Sequence, residues 1–127
     1  VTLRTAYQFI VRYDPEAFAG VPRDVVLAAL EAEGVTAYGR FYVPLPDDPL
    51  FAADPFTNPA TRAGADWSGG SFPVAARAAY DEAIWLPHPL FLGTAQDVRD
   101  LVDAFRKIQA RAGDLAANPP VALGGRR

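Results

Sequence analysis

The chain has 127 residues, enough for one domain with one modest hydrophobic core. Half of it is apolar and 21% is charged, a globular composition, and the net charge of −3 argues against a general nucleic-acid binder, which needs a basic surface. With no cysteine, disulfides, thiolate nucleophiles and Cys-ligated zinc are excluded.

Residues 7 to 13 alternate: Tyr7, Phe9, Val11 and Tyr13 point one way, Gln8 and Arg12 the other. This predicts a strand with one buried face, ended by Asp14-Pro15 because proline cannot donate to a ladder. Val21-Pro22-Arg23-Asp24 opens a helix whose apolar stripe is Val25, Val26, Ala29 and Leu30, with Gly34 as its left-handed stop. A second strand is expected from Val35 to Val43, and Pro44, Pro46 and Pro49 then enforce an extended path.

Phe51 to Gly70 reads as a long surface loop. Ser71-Phe72-Pro73 starts a short Ala-rich helix through Val74 to Asp81, and Ile84-Trp85-Leu86 is a short buried strand closed by Pro87. The clearest element comes last. Thr94 and Asp97 form a capping-box variant ahead of Val98, Leu101, Val102, Phe105 and Ile108 at helical spacing. Gly113 is expected to end that helix. The fold class is therefore α+β, a small sheet with helices packed on one face. Residues 1–113 form the domain and 114–127 a disordered tail.

No apolar run approaches the roughly 20 residues that span a bilayer. No signal-peptide pattern opens the chain, so a cytoplasmic protein with neither membrane nor nucleic-acid partners is expected. Methionine is absent even at position 1, which suggests a chain that begins inside a longer reading frame.

The inventory of reactive groups is short: one lysine and one histidine against eleven arginines. Lys107 sits two residues from Phe105, about 200° round the helix from the core stripe, away from the desolvated site that a catalytic lysine needs. It reads as a solvated helix-terminal cation rather than a Schiff-base lysine. His88, held between Pro87 and Pro89 after a buried strand, is a surface residue or a ligand contact, and no cluster accompanies it for a metal. Trp67-Ser68-Gly69-Gly70-Ser71 lacks the strand and helix of a nucleophile elbow and reads as a flexible turn. Asp47-Asp48 and Asp81-Glu82 read as solvated surface. Tyr38, Arg40 and Tyr42 share one face of the expected second strand and could hold an anion between aromatic walls.

Three stretches in order resemble the C-terminal domain of the DegT/DnrJ/StrS family of pyridoxal-phosphate-dependent aminotransferases. They are Tyr7 to Asp14 with Arg23 to Val35; Phe41-Tyr42-Val43-Pro44-Leu45 with Pro49-Leu50-Phe51; and Phe72-Pro73-Val74-Ala75 through Trp85-Leu86-Pro87-His88-Pro89 to Lys107. The chain departs from the pattern at Pro46, where many members carry histidine or tyrosine, and at His88, which follows Pro87 without the usual spacer.

The resemblance implies a fold-type I small domain bordering the pocket of a keto-sugar or keto-cyclitol, as in antibiotic or other secondary-metabolite biosynthesis. It makes His88, Tyr42 and Arg40 substrate-pocket residues. The larger domain of the same parent chain would hold the pyridoxal phosphate, with no catalytic residue and no cofactor on this part. An isolated domain of this kind is expected to expose the apolar surface that faces the large domain and to form a homo-oligomer. The competing reading is a stand-alone small-ligand or protein-interaction module that keeps the same fold.

Overall fold

The structure, a computed structural model, describes residues 7–48 and 72–120. The expected loop from Phe51 to Gly70, with Ser68 and the neighbouring Ser71, lies outside them.

Strand β1 (Gln8–Arg12) pairs antiparallel with β2 (Ala83–Pro87), in a register that sets Phe9 opposite Leu86, Ile10 opposite Trp85 and Val11 opposite Ile84. Directly opposed residues share a face. One face therefore carries Phe9, Leu86, Val11 and Ile84, and the other carries Gln8, Ile10, Trp85 and Arg12.

The first face is the core. Helix α1 (Arg23–Ala32) lays Val26, Ala29 and Leu30 on it, and α3 (Ala95–Ala110) contributes Leu101 and Ile108. Tyr13 closes one end, its hydroxyl donating to the Val21 carbonyl. Burial raises the Tyr13 phenol above its ordinary pKa, with the Asp14 charge adding to the effect. A helix layer on one side of a small sheet is the expected α+β arrangement.

Local signals at the helix ends hold. Asp97 accepts from both the backbone N–H of Thr94 at 2.6 Å and its hydroxyl at 2.8 Å, while the Thr94 hydroxyl accepts from the N–H groups of Gln96 and Asp97. Gly34 follows α1 with φ of 84°, the left-handed region that favours glycine.

Several expectations fail, one of them the extended path through Pro46: Leu45–Asp47 forms a 3₁₀ turn, whose first turn accommodates the fixed proline φ. The segment from Val35 to Val43 is not a strand: only Tyr38 bridges Trp85, through paired backbone hydrogen bonds of 2.9 and 2.8 Å. Two features stop the ladder from extending. Gly39 lies against the Arg23 guanidinium so tightly that a Cβ there would stand 2.7 Å from Cζ, and Arg40 turns the chain with φ of 49°. Phe9 is exposed rather than buried, and its ring leans on Phe91 at 5.4 Å.

The helix over residues 74–81 divides into α2 (Pro73–Arg77) and a π-helical turn over Ala78–Glu82 that runs straight into β2. Finally, α3 stops at Arg111 and not at Gly113. A further short helix, α4 (Ala112–Ala117), follows, so the start of the expected tail is helical. Among the described residues no helix is long and apolar enough to cross a membrane.

Candidate functional site

The second face of the sheet positions the candidate residues. Alternation along β2 buries Ile84 and Leu86 and turns the Trp85 indole outward. Tyr38 is held beside Trp85 by its bridge, and the chain beyond the Arg40 turn folds back over the indole. Phe41 stacks on Trp85 with ring centroids 5.4 Å apart and planes at 28°. Tyr42 meets Trp85 edge-on at 5.4 Å and Phe41 edge-on at 4.8 Å. These spacings and tilts are the favourable ones for aromatic pairs.

Arg40 takes another route. Its guanidinium lies 5.7 Å from the centre of the Tyr80 ring, within cation–π range. The Tyr80 hydroxyl donates to Asp47 Oδ2 at 2.6 Å. That hydrogen bond, ahead of partial desolvation, raises the Tyr80 phenol above its ordinary pKa, while Arg40 pulls the other way. Among the described residues Arg40 forms no ion pair with a carboxylate.

His88 begins the 3₁₀ turn His88–Phe91 at the end of β2 and is exposed. Among the described residues no hydrogen bond or ion pair joins it to Arg40 or Tyr42. The expected shared face of Tyr38, Arg40 and Tyr42 is thus replaced by a different grouping. Tyr38 and Tyr42 gather on Trp85, and Arg40 reaches Tyr80.

The positioning group is one that sequence reasoning passed over. Arg23 heads α1 yet is only 4% exposed. Its Nη1 donates to the carbonyls of Ala79 at 3.3 Å, in the π-helical turn, and Ala83 at 3.2 Å, the first residue of β2. Its Nε and Nη2 donate to Asp24 at 3.2 and 2.9 Å. Held at both ends, the planar guanidinium is the floor on which Gly39 rests, one residue before Arg40. The only sequence signal was a glycine inside an otherwise strand-like run, which marks close backbone approach.

The acidic pairs also differ from a plain solvated surface. Glu82 accepts from Arg12 at 3.2 Å and Arg77 at 3.0 Å, tying β1 to α2. Asp47 is engaged by Tyr80 as described. Lys107 behaves as expected of a helix-terminal cation, and it pairs at 2.7 Å with Glu33, just past the end of α1. A shallow groove of about 610 Å³ opens on this helical side between Glu33, Leu90, Asp97 and Lys107. It includes none of Arg40, Tyr42 and His88, and it is open to solvent, so it does not mark the candidate site. No group of three or more potential metal ligands occurs among the described residues.

No family model matches the chain. It is 44% identical over 120 residues to a protein of Streptoalloteichus tenebrarius provisionally named L-glutamine:3-amino-2,3-dideoxy-scyllo-inosose aminotransferase, covering 91% of this chain and 29% of that one. A protein of Streptomyces kanamyceticus with the same provisional name is 38% identical over 122 residues, with the same coverage. The L-glutamine:2-deoxy-scyllo-inosose aminotransferase of Micromonospora echinospora is 32% identical over 122 residues, 90% of this chain and 27% of that protein. The chain therefore spans less than a third of the length of the curated relatives it matches.

Proposed function

We propose that the chain acts as the C-terminal accessory domain of a pyridoxal-phosphate-dependent aminotransferase that aminates a keto-cyclitol. The observation that carries the reading is the 44% identity over 120 residues to a relative whose provisional name is that of an inosose aminotransferase. The names of the relatives point to L-glutamine as amino donor and an inosose ring as acceptor. The DegT/DnrJ/StrS resemblance points the same way.

The residues present do not fit the cofactor itself. A lysine that forms a Schiff base needs its amine desolvated or crowded by positive charge so that the neutral form is accessible. Lys107, the only lysine of the chain, instead sits on the helical side with an exposed ammonium paired to Glu33. No step through pyridoxal phosphate is therefore derived from these residues, and the lysine that binds it belongs to another part of the parent enzyme.

What this domain supplies is recognition. The Arg40 guanidinium offers charge-assisted donors to a ring hydroxyl or carbonyl oxygen, and the Tyr42 phenol can donate or accept. The prolines on either side restrict the backbone at His88, and its exposed imidazole would contact the acceptor as a hydrogen-bonding group.

The test exchanges this chain for the matched segment of the Streptoalloteichus relative and assays glutamine-dependent amination of its inosose. The chimera should be active. Arg40→Ala, Tyr42→Phe and His88→Ala in it should raise KM more than they lower kcat, the mark of lost binding shared by ground and transition states. An inert chimera, or three variants with unchanged kinetics, would sink the assignment. The isolated chain mixed with pyridoxal phosphate should develop no internal-aldimine absorbance that survives dilution.

A further inference from the structure

Tyr80 is none of the candidates read from the sequence, yet it joins three turns that lie far apart in the chain. Its ring carries the Arg40 guanidinium, whose Cζ lies 5.7 Å from the ring centre, and its hydroxyl donates to Asp47 Oδ2 at 2.6 Å. Arg40 stands in a left-handed turn with φ of 49°, Asp47 ends the 3₁₀ turn Leu45–Asp47, and Tyr80 is the middle residue of the π-helical turn Ala78–Glu82. π-Helical turns are rare and frequently occur at functional sites. A left-handed residue other than glycine is a second unusual feature, kept only where its surroundings hold it.

Both partners are fixed from below by one group. The buried Arg23 guanidinium donates to the carbonyl of Ala79, next to Tyr80, and supports Gly39, next to Arg40. The backbones beneath the ring and beneath the guanidinium are therefore set together, and the ring has only to hold the long, exposed Arg40 side chain. A free arginine side chain populates many rotamers, and a ligand that binds it must offset the entropy of ordering it. An arginine already resting on a ring has less to lose.

Proton transfer is not the part that Tyr80 is built for. Its phenolic proton is engaged by Asp47, and that hydrogen bond holds the phenol above its ordinary pKa. The hydroxyl anchors, and the ring supports.

We infer that Tyr80 is a positioning residue of the candidate substrate site: anchored by Asp47, its ring holds the Arg40 guanidinium ready for an oxygen of the keto-cyclitol. The inference rests on the function proposed above and adds to it two residues, Tyr80 and Asp47, that act through Arg40.

The test is a double-mutant cycle in the chimera, read as KM and kcat for the inosose. Tyr80→Leu removes the ring and should raise KM about two- to fivefold, the worth of a cation–π contact at an exposed site, with little change in kcat. Tyr80→Phe and Asp47→Ala keep the ring and lose only its anchor, so each should raise KM by less. In an Arg40→Ala background none of the three should change KM further. Thr94→Ala, which loosens the helical layer instead, should leave KM where it is.

A chimera in which Arg40→Ala raises KM and Tyr80→Leu does not overturns the inference and leaves the aminotransferase reading standing. Effects of Arg40→Ala and Tyr80→Leu that multiply also overturn it, as does a Tyr80→Phe variant as damaged as Tyr80→Leu. An active chimera whose KM ignores Arg40→Ala removes Arg40 from the site, and the inference falls with it. An inert chimera defeats the aminotransferase reading itself. Should Tyr80→Leu leave the chimera unfolded by circular dichroism, Tyr80→Phe and Asp47→Ala decide. A rise in KM that vanishes in the Arg40→Ala background supports the inference, and any other result overturns it.

Discussion

Ile84 and Trp85 are adjacent in β2 and equally apolar, yet they lead different lives. Ile84 is 1% exposed beneath α1 and α3, whereas Trp85 looks outward, half-buried beside Ile10, Tyr38, Phe41 and Tyr42. The inner face is a core because two amphipathic helices deliver side chains to it from distant parts of the chain. The outer face also carries large apolar side chains, and among the described residues Ile10 and Tyr42 there stay more than half exposed. Hydrophobicity tells which residues seek burial, and the supply of partners decides which of them obtain it.

The sharpest way to break this comparison is to truncate one residue on each face. Leu30→Ala removes a fully buried side chain from the inner layer and should cost about 2–5 kcal/mol in urea denaturation. Phe41→Ala removes a half-open ring from the outer face and should cost about 0.5–1.5 kcal/mol, the worth of its aromatic contacts. Equal losses would mean that the outer face is as much a core as the inner one.

Arg23 connects the two faces. Replacing it with alanine strips the donor from the carbonyls of Ala79 and Ala83 and should cost about 1–3 kcal/mol for each group left unsatisfied. Gly39→Ala attacks the same joint from above, forcing a methyl against the guanidinium at a cost of about 1–3 kcal/mol. Both variants should also change the near-ultraviolet circular dichroism of the Trp85 cluster. An unchanged spectrum in Gly39→Ala would mean that the Arg40 turn is held by something else.

The helical layer has its own, smaller test. Thr94→Ala removes the cap of α3 and should lower stability by about 1 kcal/mol without altering the aromatic spectrum. The other half of that cap is sensitive to pH. Backbone and side-chain hydrogen bonds from Thr94 hold the Asp97 carboxyl below its ordinary value. A lowered folded-state pKa contributes stability above the unfolded value of about 4, and that contribution disappears as pH falls through the folded value. The difference in Tm between the chain and Asp97→Ala should therefore be present at neutral pH and shrink in strong acid. A difference that persists there would locate the effect in something other than the carboxylate.

The smallest effect belongs to Lys107. Its bond to Glu33 spans α3 and the end of α1, but the ammonium is exposed, so Lys107→Ala should cost no more than about 0.2–1 kcal/mol and less in high salt.

Much of the helical layer was legible beforehand. The stripe of α1, the cap of α3 and the αL glycine after α1 are patterns that span a few residues and report a few residues. The expected strand from Val35 to Val43 was not readable in that way. Its alternation is genuine, but a strand exists only where a partner offers a free edge in register. Here the guanidinium under Gly39 and the left-handed Arg40 limit the pairing to one bridge. The stop at Gly113 failed for a related reason, since the chain had already turned at Arg111 and Gly113 sits within the short helix that follows.

The candidate site divides along the same line. Arg40, Tyr42 and His88 could be picked as candidates from the sequence by residue type and resemblance. Their arrangement could not be. The sequence by itself determined the apolar stripes of α1 and α3, the cap of α3 and the absence of cysteine, because these depend on identity and short-range spacing. The tertiary structure alone decided that Arg23 is buried, that Trp85 faces away from the core and that Arg40 rests over Tyr80. Each of those outcomes depends on groups far apart in the chain meeting at distances of a few ångströms, and no local pattern encodes that meeting.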